Sequence, residues 1–278
     1  MDPILRQGEL TGKTIPVLYA HWLLGDRLAC KTRVHYDYSS DDAGETYDQH
    51  EVYEATLADK EPEADKLHKP PLQVGMPAII KVKTQLEHWS NEPDCGKCSD
   101  EIWREINNLK ALTDAGCEHT PKLIDWGITH QSRDETLPGG YFAFIVMEKL
   151  PGKDLSDFDE MKKSEQHRVQ LAFLEAIWNF TKCKFTHWDP RLPNLIWDPD
   201  KQKCYIVDLE DAEHNPEQAA EGFSIDSWNT LRAWQLVRGS DRKWMPIYSK
   251  EKLVQYWKKR IGMSPVRRNP KPRPPWRP

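Results

Sequence analysis

Between Thr186 and Glu213 the chain reads THWDPRLPNLIWDPDKQKCYIVDLEDAE, and this segment restricts the possible folds more than any other. LIW and CYIVDL are short apolar runs separated by the turn-forming DPDKQK, which is the pattern of a β-hairpin. A hairpin brings its two ends together. Asp189 and Asn194, just ahead of the first strand, are thereby placed near Asp208, which closes the second. Two carboxylates and an amide oxygen that converge can hold a divalent cation against phosphate oxygens, because hard cations take oxygen donors. The alternative is a polar loop whose Asp and Asn side chains cap turns.

Upstream, VLYAHWLL, LACKTRVHYDY and HEVYEATL, within residues 17–57, predict a small antiparallel sheet, with SSDDAGETYD as the turn before the last strand. Ala58–Gly75, rich in charge and proline, predicts a solvated loop ahead of the apolar strand Pro77–Val82. Over Asp100–Ala115, Ile102, Trp103, Ile106, Leu109 and Leu112 fall at helical spacing, with Ser99 or Asp100 as cap. PKLIDWGI and YFAFIVMEKL predict strands, the second buried on both faces because its apolar run is unbroken. A second helix is predicted over Glu165–Cys183, carrying Leu171, Phe173, Leu174, Ile177, Trp178 and Phe180 into the interior. SIDSWNTLRAWQLV and SKEKLVQYWKKRI are candidate helices, and NPKPRPPWRP predicts an extended, disordered basic tail.

A chain of 278 residues with 38% hydrophobic content suffices for one large domain or two lobes sharing a cleft, and the 12 Trp are expected in the core. A net charge of −5 gives no global case for nucleic acid as a partner. Runs of ~18 apolar residues are absent, so no membrane span is expected. The first residues, MDPILRQGELTGKT, lack a signal-peptide pattern. The expected location is the cytoplasm, with the nucleus also compatible, and the six cysteines are expected as free thiols. Cys95, Cys98, Cys117 and His119 form a CGKC…CEH pattern that fits either a zinc site or free thiols beside a helix.

The ordered motifs resemble the protein kinase superfamily. VYEATL at 52–57 resembles its second strand, PAIIKV the strand that ends in lysine, and REINNLKAL at 104–112 its first helix. VMEKLPGKDL at 146–155 resembles the hinge, and HWDPRLPN with YIVDLE the catalytic and metal-binding segments. The resemblance implies an α+β, bilobal fold. Residues 1–147 would form a small antiparallel β lobe with one helix (58–75 a loop), 148–264 a shortened mainly α lobe, and 265–278 a tail.

The resemblance also implies ATP with Mg2+ (or Mn2+) as cofactors. Asp189 would be the base for an acceptor hydroxyl, Asn194 and Asp208 metal ligands, and Arg191 a stabiliser of the transferring phosphoryl group. Lys81, paired with Glu105, would hold the nucleotide phosphates, with Lys83 a rival placed nearer the solvent end of the strand. Met147, Glu148 and Leu150 would meet the adenine edge.

Three features depart from the pattern. The expected glycine-rich turn carries acidic residues around a lone Gly44, His187 is followed by Trp188 in place of arginine, and Asp208 by Leu209 and Glu210 in place of Phe-Gly. Glu210 is thereby a potential extra metal ligand. No Ala-Pro-Glu motif follows Asp208, so the chain is similar to small-molecule kinases of the superfamily as much as to protein kinases, and the acceptor is expected to be a small molecule or a protein. A catalytically silent, kinase-shaped scaffold and a nucleotidyl transferase are the competing expectations.

Overall fold

The computed structural model describes residues 10–37, 44–62, 71–87, 98–216 and 227–237. Strands β1 (Thr14–Pro16), β2 (Ala20–Asp37), β3 (Gly44–Lys60), β4 (Pro77–Gln85), β5 (Leu123–His130) and β6 (Tyr141–Glu148) form one curled antiparallel sheet in the order β1-β2-β3-β4-β6-β5. Its length lies in β2 and β3, of 18 and 17 residues, where most strands have 3–10. Register shifts between Leu24 and Ala29 let so long a ribbon bend.

The structure corrects three expectations. VLYAHWLL and LACKTRVHYDY are one strand from Ala20 onward, because the bulge absorbs Gly25–Asp26 without breaking the pairing. The loop expected from Ala58 begins later: β3 runs to Lys60, whose Nζ donates to the Leu72 carbonyl at 2.6 Å, so the far end of the excursion is tied back. Gly44–Asp48, expected in the turn, are already strand, and 38–43 lie outside the described residues.

The unbroken apolar run of β6 divides between two cores, as its composition requires. Phe142, Phe144 and Val146 join Trp22, Tyr53, Leu57, Ile80 and Val82 on one face of the sheet. Ala143, Ile145 and Met147 face the other core, with Ile102, Ile106, Leu109 and Leu112 of helix α1 (Asp100–Asp114) and Phe173, Ile177 and Phe180 of helix α2 (Lys163–Lys182). Ser99 takes the N-cap position of α1 with extended dihedrals, but its hydroxyl makes no capping bond; Asp100 and Glu101 instead supply negative charge to the first turn. At the other end the Gly116 N–H donates to Thr113 and the Cys117 N–H to Leu112, a Schellman ending that Gly116 permits at φ 69°.

After β6 the chain forms β7 (Lys153–Asp154), α2, β8 (Phe185–His187), β9 (Leu195–Asp198), β10 (Lys203–Ile206), β11 (Ala212–His214) and helix α3 (Ser227–Ala233). The expected hairpin is β9 and β10, paired from Leu195↔Ile206 to Asp198↔Lys203. The class is α+β. No helix among the described residues is long and apolar enough to cross a membrane. The tryptophans are not uniformly core: Trp22, Trp197 and Trp234 are buried, but Trp103 is 39% and Trp188 67% exposed. SKEKLVQYWKKRI, the tail 265–278 and Cys95 lie outside the described residues.

Asp125 on β5 is buried, with Oδ1 accepting from the Trp126 N–H and Oδ2 from the Tyr19 N–H. Burial pushes its carboxyl up to about 6 despite those two bonds. The folded protein therefore holds the proton more tightly than the unfolded chain, where Asp titrates at ~3.9. Its contribution to stability is complete below about pH 4 and is lost as pH rises through about 6, roughly 3 kcal/mol in all. Urea unfolding of the wild type and of Asp125→Asn from pH 4 to 7 checks this. The gap between them should shift in favour of the variant as pH rises, and a pH-independent gap would contradict the assignment.

Candidate functional site

His187 ends β8, and its ring organises the loop beyond it. The Asp189 N–H donates to His187 Nδ1 at 3.2 Å, so Nδ1 is the unprotonated nitrogen. Nε2 then carries the proton and donates to the carbonyls of Val207 (3.2 Å) and Asp208 (3.1 Å). Burial lowers the pKa of the ring, in keeping with this neutral tautomer. One imidazole thus fixes the start of the Asp189 loop against the end of the hairpin. The β11–β8 ladder, Ala212↔His187, and the Trp188 N–H to Asp211 carbonyl bond at 2.9 Å secure the same junction.

The three residues expected to converge do so. Asn194 Nδ2 donates to the Asp189 carbonyl and to Asp189 Oδ2, each at 3.0 Å. Arg191 Nε lies 2.6 Å from Asp189 Oδ2 and its Nη2 3.6 Å from Asp208 Oδ2, so a single guanidinium spans both carboxylates. Asp208 itself is a non-glycine residue in the left-handed region, φ 60° and ψ 66°, a backbone state that costs about 1–3 kcal/mol.

On the opposite side, Lys81 Nζ donates to Asp208 Oδ1 at 2.5 Å and to Glu105 Oε1. Burial works against its charge, but Asp208 and then Glu105 outweigh that and hold the ammonium well above the ordinary lysine range. For Asp208, burial opposes ionisation and Lys81 prevails, keeping the carboxyl below its usual value.

Lys83 is not at the solvent end of its strand. β4 continues to Gln85, and Lys83 is 1% exposed, deeper than Lys81. Its Nζ sits 2.9 Å from Glu210 Oε2 and 2.9 Å from Glu105 Oε2, the latter without hydrogen-bond alignment. Glu105 on α1 therefore serves two lysines.

Glu210 was expected as a spare metal ligand, and the structure gives it a different place. It is 2% exposed and held by Lys83, by Arg33 and, at 3.6 Å, by Lys31. Burial opposes its charge, but Lys83 and Lys81 override it and keep the carboxyl far below the usual range. His50 Nδ1 lies 3.9 Å away, but burial and then Lys83 push this histidine down to about 2, so it is neutral and this contact is not an ion pair.

Sequence reasoning missed Arg33, Lys31 and Asn108. Asn108, one turn along α1 from Glu105, donates to the carbonyls of Leu209 (2.9 Å) and Ala212 (2.7 Å) and so ties the helix to the turn bearing Glu210. Its signal was its i+3 spacing from Glu105 on the inner face.

Beside the expected base-binding segment, Met147 is buried against Ile79 and Leu123, and the Glu148 N–H is spent on the Lys122 carbonyl at 2.9 Å. Lys149 Nζ reaches Glu54 Oε1 on β3 at 2.8 Å, across the end of β4. Both side chains are more than a third exposed, so this bridge is worth at most about 1 kcal/mol and is a weak obstacle.

The donor set fits Mg2+ in one manner only. Among the described residues no three His, Cys, Asp or Glu side chains form a metal cage. Asp208 and Asn194 offer hard oxygens, and Mg2+ is commonly held by one or two such groups together with substrate phosphates. The residues are therefore suited to a cation that arrives with a nucleotide.

Of the two readings of the CGKC…CEH pattern, the described cysteines follow the free-thiol one. Cys98 precedes α1 and Cys117 follows it, so 15 helical residues, about 22 Å, separate them. His119 Nδ1 is instead 2.9 Å from the Cys204 carbonyl. A cavity of about 660 Å³ between Trp103, Trp126 and Pro16–Leu18 lies apart from the ionic network and contains none of its residues. No protein-family model matches the chain, and no curated protein matches it.

Proposed function

We propose that the chain is a two-lobed, protein-kinase-like phosphotransferase that uses ATP and Mg2+ (or Mn2+) to phosphorylate a hydroxyl of a small molecule or protein. One observation carries this reading: Lys81 bonds both Glu105 and Asp208, while Arg191 joins Asp208 to Asp189. A lysine from one strand, a helix glutamate and two loop aspartates from separate parts of the chain are thereby assembled at one place, as phosphoryl transfer requires.

In this reading Asp208 and Asn194 hold the cation, which would neutralise charge on the phosphates. Lys81, kept cationic by its two anions, binds the phosphate oxygens. Asp189 Oδ2 is already bonded to Arg191 and Asn194, so accepting the hydroxyl proton falls to Oδ1. The acceptor oxygen forms a bond to the γ-phosphorus as the bond to the β,γ-bridging oxygen breaks; the electron pair leaves with ADP and the proton passes to Asp189. Arg191 stabilises the charge that develops between them.

The test is thermal unfolding with ATP, with and without MgCl2. At a hundred times its dissociation constant a ligand stabilises by ~2.7 kcal/mol, a rise of roughly 5–10 °C for a chain this size. The rise should depend on the cation and vanish in Asp208→Asn. No shift under either condition would remove the reading.

The silent-scaffold reading is favoured by Glu210, whose carboxylate neutralises Lys31, Arg33 and Lys83 where phosphates would otherwise find cations. ATP stabilisation that ignores the divalent cation and survives Asp208→Asn would favour it. Product mass then separates phosphate from nucleotidyl transfer.

A further inference from the structure

The curled sheet ends in two edge strands, β1 and β5, which come together without pairing. The Tyr19 N–H, just past β1, is spent on Asp125 Oδ2 at 3.2 Å, and Gly127 lies so close to the same segment that a Cβ would stand 3.5 Å from Val17 Cγ1. The Val17 N–H donates to the Ala20 carbonyl at 2.8 Å and closes a turn that leaves Leu18 51% exposed. A carboxylate and a close backbone approach thus hold the seam in place of a ladder. Beside it opens the cavity of about 660 Å³, bounded on its far side by the start of α1. That volume suits a small molecule.

Two indoles shape the wall. Trp103 stands one residue beyond the buried Ile102 and so leaves the core stripe of α1; 39% of it is exposed, and it meets Trp126 of β5 with ring centroids 5.4 Å apart and planes at 73°. The edge-to-face contact accounts for the pairing, while the indole surface left uncovered lines the cavity. Asp100 precedes Trp103 by three residues, which places both on one side of the helix. Its carboxylate belongs to the same lining. Cys98 also lines the cavity, and burial, then Asp48, with Asp100 adding, push its thiol up to about 12, so it is neutral. Among the described lining residues Asp100 is therefore the one ionised side chain, with no Lys, Arg or His to neutralise it.

We propose that this cavity binds a small organic cation, an alkylated or aryl-substituted ammonium, whose charge rests against Trp103 and Trp126 and faces Asp100. The negative face of an indole attracts a cation, and aromatic walls suit an alkylated ammonium because its surface is apolar while its charge remains. The carboxylate adds attraction and repels anions, so a nucleotide is excluded from this cavity. The cavity contains no residue of the network around Lys81 and Asp208. Its occupation is therefore independent of whether the chain transfers phosphate.

The experiment is calorimetric titration of the full chain at neutral pH with para-hydroxyphenyl trimethylammonium, set against para-tert-butylphenol, which has the same shape without the charge. The cation should bind about tenfold more tightly than its neutral counterpart. Trp103→Ala should weaken it by about tenfold, and Asp100→Asn by about threefold, as befits an exposed carboxylate. Trp188→Ala, which removes an exposed indole outside the cavity, and Asp208→Asn should leave the affinity unchanged. If the alanine variant of Trp103 unfolds, proton NMR of the ligand with the wild-type chain decides: ring currents of the indoles should move the trimethylammonium resonance upfield. Equal affinity for the two probes, no binding of the cation at millimolar concentration, undiminished binding by a folded Trp103→Ala, or an unmoved resonance would each overturn the proposal.

Discussion

Replacing Glu105 with alanine should cost the fold about 3–5 kcal/mol, because removing one partner of a buried ionic cluster leaves charge uncompensated. Glu105 is 1% exposed and faces the ammonium groups of Lys81 and Lys83 together. After the change, Lys81 keeps Asp208 and Lys83 keeps Glu210, so the loss should fall toward the lower figure. Glu105→Gln preserves the shape and one acceptor and should cost roughly half as much. Urea midpoints of the three proteins at pH 7 decide the matter. A penalty under about 1 kcal/mol for alanine would mean that the lysines find other partners and that the cluster is not a unit.

Gly152→Ala is the second large effect. Gly152 has φ 104°, which L side chains rarely adopt, and a Cβ there would overlap the Trp197 carbonyl, with the carbonyl carbon at 2.6 Å. The chain enters β7 here, where Lys153 pairs with Trp197, so the neighbour is backbone within a ladder and has no rotamer to change. Strain of about 1–3 kcal/mol plus forced displacement of β9 should total about 3 kcal/mol or more. Gly139→Ala supplies the comparison: its φ is 83°, but nothing lies within 4 Å of the added methyl, so only the backbone cost of about 1 kcal/mol is expected. Equal midpoints for the two variants would show that the clash is relieved without loss.

The architecture was legible wherever apolar periodicity carried it. The α1 stripe and the unbroken β6 run appear within a residue or two of their expected bounds, and the LIW…CYIVDL hairpin appears with its second strand ending at Ile206, ahead of Val207–Leu209. The meeting of Asp189, Asn194 and Asp208 was legible because a hairpin must return to its origin. Depth was not. Lys81 and Lys83 share a strand face by simple alternation, but which one lies deeper depends on His50 and Glu210, which the hairpin and the turn after Asp208 bring from distant parts of the sequence. Arg33 was hidden for a related reason. It pairs opposite Asp48, which lies within β3 and not in the turn that the acidic residues suggested.

Asn108 grips the carbonyls on either side of Glu210, while Glu210 is anchored to β2 and β4 through Arg33 and Lys83. The stretch after Asp208 is consequently riveted at three points to a helix and two strands. It has no freedom to swing outward by itself in the manner of a glycine hinge; any rearrangement near Asp208 must carry α1 along as a single lever, with Glu105 and both lysines released or retained together.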